Sequence, residues 1–161
     1  MFSYYTEVCD SRIAENGGAF RGQIGVFHGY GQSHDTFLEM AMHYALNGFI
    51  VHLIDLEGFG YSGGGRVSRI TIESMHLQIT SLLTQVRPDL PLFLFGHSMG
   101  CMVLNTYLTI NPKIADRLAG VIWSAPFWGM PEFVHMGWFQ KQMIKVLSVE
   151  AQEFCLVTGM P

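Results

Sequence analysis

Short apolar runs and stretches of helical period alternate along this chain, and the alternation predicts strands and helices in turn. Residues 22–27 (Gly-Gln-Ile-Gly-Val-Phe) and 49–54 (Phe-Ile-Val-His-Leu-Ile) are largely apolar and short, as buried strands are. Between them, residues 34–47 place Phe37, Met40, Ala41, Tyr44 and Ala45 at i, i+3, i+4, i+7 and i+8, the spacing of a helix with one buried face. Ser33 or Asp35 can cap its start, and Gly48 stands where a helix commonly stops. The same reasoning predicts a helix over 70–86 stopped by Pro88, a strand over 92–95 and a helix over 101–110 ended by Asn111-Pro112. A further strand is expected over 118–123, and another near 3–8, set apart from residues 22–27 by the turn Glu15-Asn16-Gly17-Gly18. Strands alternating with helices of this length make βαβ units, hence an α/β fold with a mostly parallel sheet and helices on both faces. After Pro126 the pattern breaks. Residues 127–161 are rich in Met and aromatics, with one helix expected over about 133–147 and no further clear strand.

The candidate chemistry sits where the strands end. The pentapeptide Gly96-His97-Ser98-Met99-Gly100 follows a four-residue apolar run and opens a helix. A turn this tight forces strained backbone angles on the serine and projects its hydroxyl outward, and glycines two residues either side avoid collisions with strand and helix. Ser98 is then a candidate nucleophile, and the backbone N–H of Met99 points at a developing oxyanion from the helix N-terminus. His28-Gly29-Tyr30-Gly31 follows the strand over 22–27 and permits a sharp bend that offers the Tyr30 N–H as second oxyanion donor. His28 reads as a structural hydrogen-bonding residue rather than a base, because the base of such sites follows the nucleophile in the chain. For the same reason Asp55 reads as the residue that holds the glycine-dense loop over 55–65, not as the acid of a triad. Cys101, one turn into the helix, reads as packing.

Composition narrows the classes. Charged residues make up only 14% of the chain and apolar ones 49%, against about 25% charged in typical globular domains, which suits a sheet-centred core. The net charge is −4 and no Lys/Arg block occurs, which argues against nucleic-acid capture. Cys9, Cys101 and Cys155 are an odd set without a C-x-x-C pair, which argues against a disulfide framework and a zinc site; no cofactor and no metal is called for. Residues 1–5 lack the features of a secretory signal, and the longest apolar runs fall well short of the ~20 residues that span a bilayer. A soluble cytoplasmic protein is the default expectation.

These residues together resemble the monoacylglycerol lipases and lysophospholipases within the serine-aminopeptidase-like group of α/β-hydrolases. The resemblance covers roughly residues 22–126. It rests on His28-Gly29, the loop Asp55-x-x-Gly58-x-Gly60-x-Ser62-x-Gly64, the elbow with His97 and Met99 around Ser98, and Ser124-Ala125-Pro126. It implies an α/β-hydrolase core over residues 1–126 and the beginning of a cap over 127–161. It also implies hydrolysis of a fatty-acyl glycerol or lysolipid, with Ser98 as nucleophile, Tyr30 and Met99 as backbone oxyanion donors, and His28, Gly29, Gly96, His97 and Gly100 as structural residues of the site. Met130, Met136 and Met143 with Phe133, Trp138 and Phe139 then read as cap over an acyl pocket rather than plain core, and could touch a bilayer surface transiently. No obligate protein partner is implied.

A triad of this fold runs Ser, then Asp or Glu, then His. After Ser98 the sole histidine is His135, and the acids are Asp116, Glu132, Glu150 and Glu153. Asp116 precedes a strand and falls at the wrong end of the sheet, and a Ser98–Glu132–His135 set would need an unusual placement. The expectation is a truncated chain (a fragment, a short isoform or a piece of a split protein) with little or no turnover. A peptidase or thioesterase of the same fold, and a non-catalytic lipid-binding or interaction remnant, are the alternatives.

Overall fold

A computed structural model of the chain describes residues 3–15, 18–64 and 71–126. The strands are β1 (Tyr5–Val8), β2 (Gly22–Phe27), β3 (Phe49–Ile54), β4 (Leu92–His97) and β5 (Gly120–Ser124). The helices are α1 (Ser11–Glu15), α2 (Leu38–Leu46), α3 (Ile72–Gln85), α4 (Met99–Ile110) and α5 (Pro112–Ala115). The strands form one five-stranded sheet in the order β1-β3-β2-β4-β5. β3, β2, β4 and β5 are parallel, and only β1 runs antiparallel, against β3.

The period of two along each strand divides the core in two. Ile24 and Val26 of β2 and Val51 and Leu53 of β3 pack with Phe37 and Ala41 on one face. Phe27, Ile54 and Leu94 pack on the other face with Met75, Ile79 and Leu82 of α3 and Val103, Leu104 and Tyr107 of α4. Every residue of β2 is buried, as a central parallel strand covered on both faces must be. β2 and β3 keep the bounds read from the pattern, and helices cover both faces as expected. Among the described residues no helix is long and apolar enough to cross a membrane.

Three differences have local causes. Residues 34–47 do not form one helix: a 3-10 turn over His34–Phe37 precedes α2. The His34 N–H goes to the Asp55 carboxylate at 2.7 Å, and Thr36 N–H closes an i→i+3 bond on Ser33 O at 3.1 Å, so the first turn winds tighter than an α-helix. Ser33 holds the cap position but its side chain caps nothing; its hydroxyl donates to Asp35 Oδ2 at 3.3 Å. The helices α1 and α5, of five and four residues, are too short for periodicity to reveal. The last strand starts later than the apolar run suggests and reaches Ser124, which matters for the site. Gly48 ends α2 at φ +91° as expected, and Thr71 caps α3 by accepting the Ser74 N–H at 3.2 Å.

One buried polar network ties β1 to the sheet. The Tyr5 hydroxyl donates to His52 Nδ1, and His52 Nε2–H donates to Gln23 Oε1 at 3.2 Å. Gln23 accepts the Arg87 N–H at 3.0 Å and donates to Arg87 O at 2.6 Å, joining β2 to the turn before β4. Burial, and then Arg87, hold His52 down at about 4 against its ordinary 6.5, while burial and Glu7 push Tyr5 up to about 12. Folded His52 is therefore neutral where the unfolded chain's is protonated. Stability is full above about pH 6.5 and falls as pH drops toward 4, by up to about 3 kcal/mol from this group. Thermal midpoints taken from about pH 7 down to about pH 4 should show that slope, and His52→Gln should flatten it.

Candidate active site

Ser98 links β4 to α4 with φ +48° and ψ −112°, angles a serine adopts only when its surroundings impose them. Two close approaches impose them here. A Cβ on Gly96 would lie 2.9 Å from the Cα and N of Cys101, and a Cβ on Gly100 would lie 2.2 Å from Phe27 O. The first lets α4 fold back onto β4; the second lets it press on the end of β2. A third restraint comes from β5, whose last residue accepts the Ser98 N–H on Ser124 O at 2.9 Å. The strained Ala125, at φ +45°, follows directly.

The neighbours of Ser98 have defined partners. His97 Nδ1 bonds Ser124 Oγ at 3.1 Å, and its ring packs on Phe37. Cys101 is buried, its thiol donates to Gly96 O at 3.0 Å, and burial pushes its titration up, all consistent with packing rather than reactivity. Met99 is the first residue of α4, where a backbone N–H has no intrahelical acceptor.

The segment after β2 forms a turn against Ser98. Gln32 N–H bonds Gly29 O at 3.3 Å, and Gly31 between them sits at φ +71°. A Cβ on Gly29 would lie 3.1 Å from Ser98 Cβ, so a larger residue there would press on the serine. His28 is 1% exposed and spans two backbones: Nε2 accepts the Leu56 N–H at 2.9 Å and Nδ1 donates to Gly29 O at 2.7 Å. Because a backbone N–H can only donate, the proton on the ring must be on Nδ1. Burial holds His28 below its ordinary value, which keeps it neutral. Both nitrogens are thus committed, the arrangement of a structural residue. The Tyr30 side chain stands 58% exposed, edge-on to Phe59 at 5.5 Å.

Asp55, wholly buried, organises the loop after β3. Its carboxylate accepts the Tyr61 N–H at 2.8 Å and the His34 N–H at 2.7 Å, and sits 3.0 Å from His34 Nδ1. Gly60 is at φ +51°, and a Cβ there would fall 2.1 Å from Asp55 Oδ2. The Asp55 carbonyl takes the Ser62 hydroxyl at 2.6 Å and Gln78 Nε2 at 3.0 Å. The spacing Asp55, Gly60, Ser62 therefore has a mechanical meaning: the loop wraps a buried carboxylate. His34 Nε2 lies 3.2 Å from Asp35 Oδ1, so this Asp–His pair is spent between two carboxylates. Asp116 precedes β5 and so lies at the opposite sheet edge from Ser98, which follows the parallel β4. Glu132, His135, Glu150, Glu153 and the Met/aromatic segment fall outside the described residues. Among the described residues no group of three or more His, Cys, Asp or Glu side chains could hold a metal.

Sequence reasoning missed Gln32, His34 and Gln78, and it named Ser124 without the role of its carbonyl. Only Gln32 had a local signal, standing at the i+3 position of a turn that begins at Gly29.

A doubly covered, mostly parallel sheet with a strained serine at the strand-to-helix turn of β4 and α4 defines an α/β-hydrolase. Within that class the chain belongs to the family described as serine aminopeptidase, S33, whose model matches residues 18–156. It is 33% identical over 123 residues to the caffeoylshikimate esterase of Arabidopsis thaliana, covering 71% of this chain and 36% of that protein. The monoglyceride lipase of Saccharomyces cerevisiae is 29% identical over 112 residues, 66% of this chain and 36% of the lipase. Among solved structures, the monoacylglycerol lipase of Paleococcus ferrophilus matches with a TM-score of 0.66 and 26% identity, over 83% of this chain and 48% of that one. The chain thus spans about a third of the length of these curated relatives, 36% of each.

Proposed function

We propose that Ser98 is the nucleophile of a serine ester hydrolase acting on a lipid ester such as a monoacylglycerol or lysolipid. The observation that carries the reading is the pose of Ser98: a strained serine at the C-terminal edge of the sheet, with the Gly29 turn against it. The names of the similar proteins, an esterase and two lipases, support an ester as substrate. In the acylation step the Ser98 oxygen bonds the acyl carbon, and the Tyr30 and Met99 N–H groups receive the charge on the carbonyl oxygen. Collapse of that intermediate breaks the bond to the alcohol, which leaves with a proton; water then releases the acid and restores the serine. The serine's own proton needs an acceptor. Among the described residues no imidazole bonds Ser98 Oγ: His28, His34, His52, His76 and His97 each have partners elsewhere, and the exposed His43 on α2 lies against Tyr44.

A fluorophosphonate probe in large excess tests this. Labelling confined to Ser98, lost in Ser98→Ala and kept in Cys101→Ala, is expected. Label that survives Ser98→Ala overturns the nucleophile.

A further inference from the structure

The turn after β2 lies against Ser98 through Gly29, and its first two amides are treated differently. Gly29 is the pivot: a Cβ on it would meet Ser98 Cβ at 3.1 Å, His97 Cδ2 at 3.3 Å and Gln32 Oε1 at 2.8 Å. The Gly29 N–H donates to Gln32 Oε1 at 2.7 Å. The peptide that follows has its carbonyl, Gly29 O, fixed from two sides, by His28 Nδ1 at 2.7 Å and by Gln32 N–H at 3.3 Å. In a planar trans peptide the N–H points opposite to the C=O, so fixing Gly29 O fixes the direction of the Tyr30 N–H. Tyr30 occupies the i+1 position of the turn, whose N–H the turn leaves unused.

We propose that Gln32 is a positioning residue of the oxyanion turn: its side-chain oxygen occupies the Gly29 N–H while its own backbone N–H holds Gly29 O, so that the Tyr30 N–H is left open in a fixed direction. This rests on the reading of Ser98 as nucleophile and Tyr30 as its oxyanion donor. Without the Gln32 side chain, the Gly29 N–H is an unpaired donor beside the site. It then draws water or turns toward the same acceptor as Tyr30, and the turn loses a defined donor direction. A residue that acts through two backbone amides leaves no trace in a motif, since any side chain with an oxygen at that reach would serve. That also sets the control: Gln32→Glu keeps an acceptor oxygen at the same distance along the chain, whereas Gln32→Leu keeps only the bulk.

Amide hydrogen exchange on the ¹⁵N-labelled full chain, resolved at Gly29 and Tyr30, tests the assignment. In the wild type the Gly29 amide is expected to exchange about tenfold or more slowly than the Tyr30 amide. Gln32→Leu and Gln32→Ala should erase that difference and shift the Gly29 resonance upfield, while Gln32→Glu restores both, with thermal midpoints alike in all four chains. Gly29 protection unchanged in Gln32→Leu, or lost equally in Gln32→Glu, overturns the proposal. The rate of Ser98 phosphonylation should fall about tenfold in Gln32→Leu and recover in Gln32→Glu; equal rates in the three chains overturn it as well. Label that survives Ser98→Ala instead removes the nucleophile reading, and leaves the Gly29 exchange pattern to decide whether Gln32 holds the turn.

Discussion

Alanine at position 100 is expected to cost about 3 kcal/mol or more of stability and to displace Ser98. The added Cβ would sit 2.2 Å from Phe27 O and 2.8 Å from His28 O. These are backbone atoms at the end of the central strand, and they cannot step aside as the tip of a flexible side chain can. α4 must lift from the sheet instead, and Ser98 and Met99 at its start move with it. Urea unfolding of Gly100→Ala beside Gly31→Ala separates this from an ordinary glycine effect. A Cβ on Gly31 meets nothing within 4 Å, and its φ of +71° costs only about 1 kcal/mol. Equal midpoints for the two variants would show that close approach is not what holds the elbow.

Removal of the Asp55 carboxylate should be comparably severe. Asp55→Ala leaves the His34 N–H, the His34 ring and the Tyr61 N–H facing a hole, in a position with no exposure. Each buried donor left without its partner costs about 1–3 kcal/mol, and this change strips several at once. Asp55→Asn retains an oxygen for one N–H and should lose about 1–2 kcal/mol. The damage has a direction: the loop around Gly60 and the 3-10 turn over His34–Phe37 both hang on this carboxylate. Exchange should rise first at the Tyr61 and His34 amides, ahead of global unfolding. A variant that loses stability with both amides still protected would place the cost elsewhere.

How much of this is legible in the sequence follows from how far apart the partners are. β2 and β3 can be bounded from sequence because both faces of a central parallel strand are covered, and a short, largely apolar run is enough to announce that. The elbow was legible for a similar reason: the demands on Gly96 and Gly100 arise within a few residues of Ser98. Asp55 as the holder of its loop was legible too, because the glycines that wrap it follow at once. Its second client was not. His34 lies 21 residues earlier, and only the pairing of β2 with β3 brings the two together. That same bond explains why a clean helical period over residues 34–47 opens as a 3-10 turn. Ser124 was read as the residue after a strand, without the role its carbonyl plays for Ser98, because the β4–β5 register is a property of the folded sheet.

The bond from Ser98 N–H to Ser124 O also has a consequence in time. The chain emerges from the ribosome in order, and the serine precedes its tether by 26 positions along the chain, as His97 precedes the hydroxyl it bonds. Until β5 has been made and paired with β4, the elbow lacks the carbonyl that helps hold its strained angles. The backbone pose of Ser98 is therefore completed by a segment made after it, and is not a property of its own segment alone.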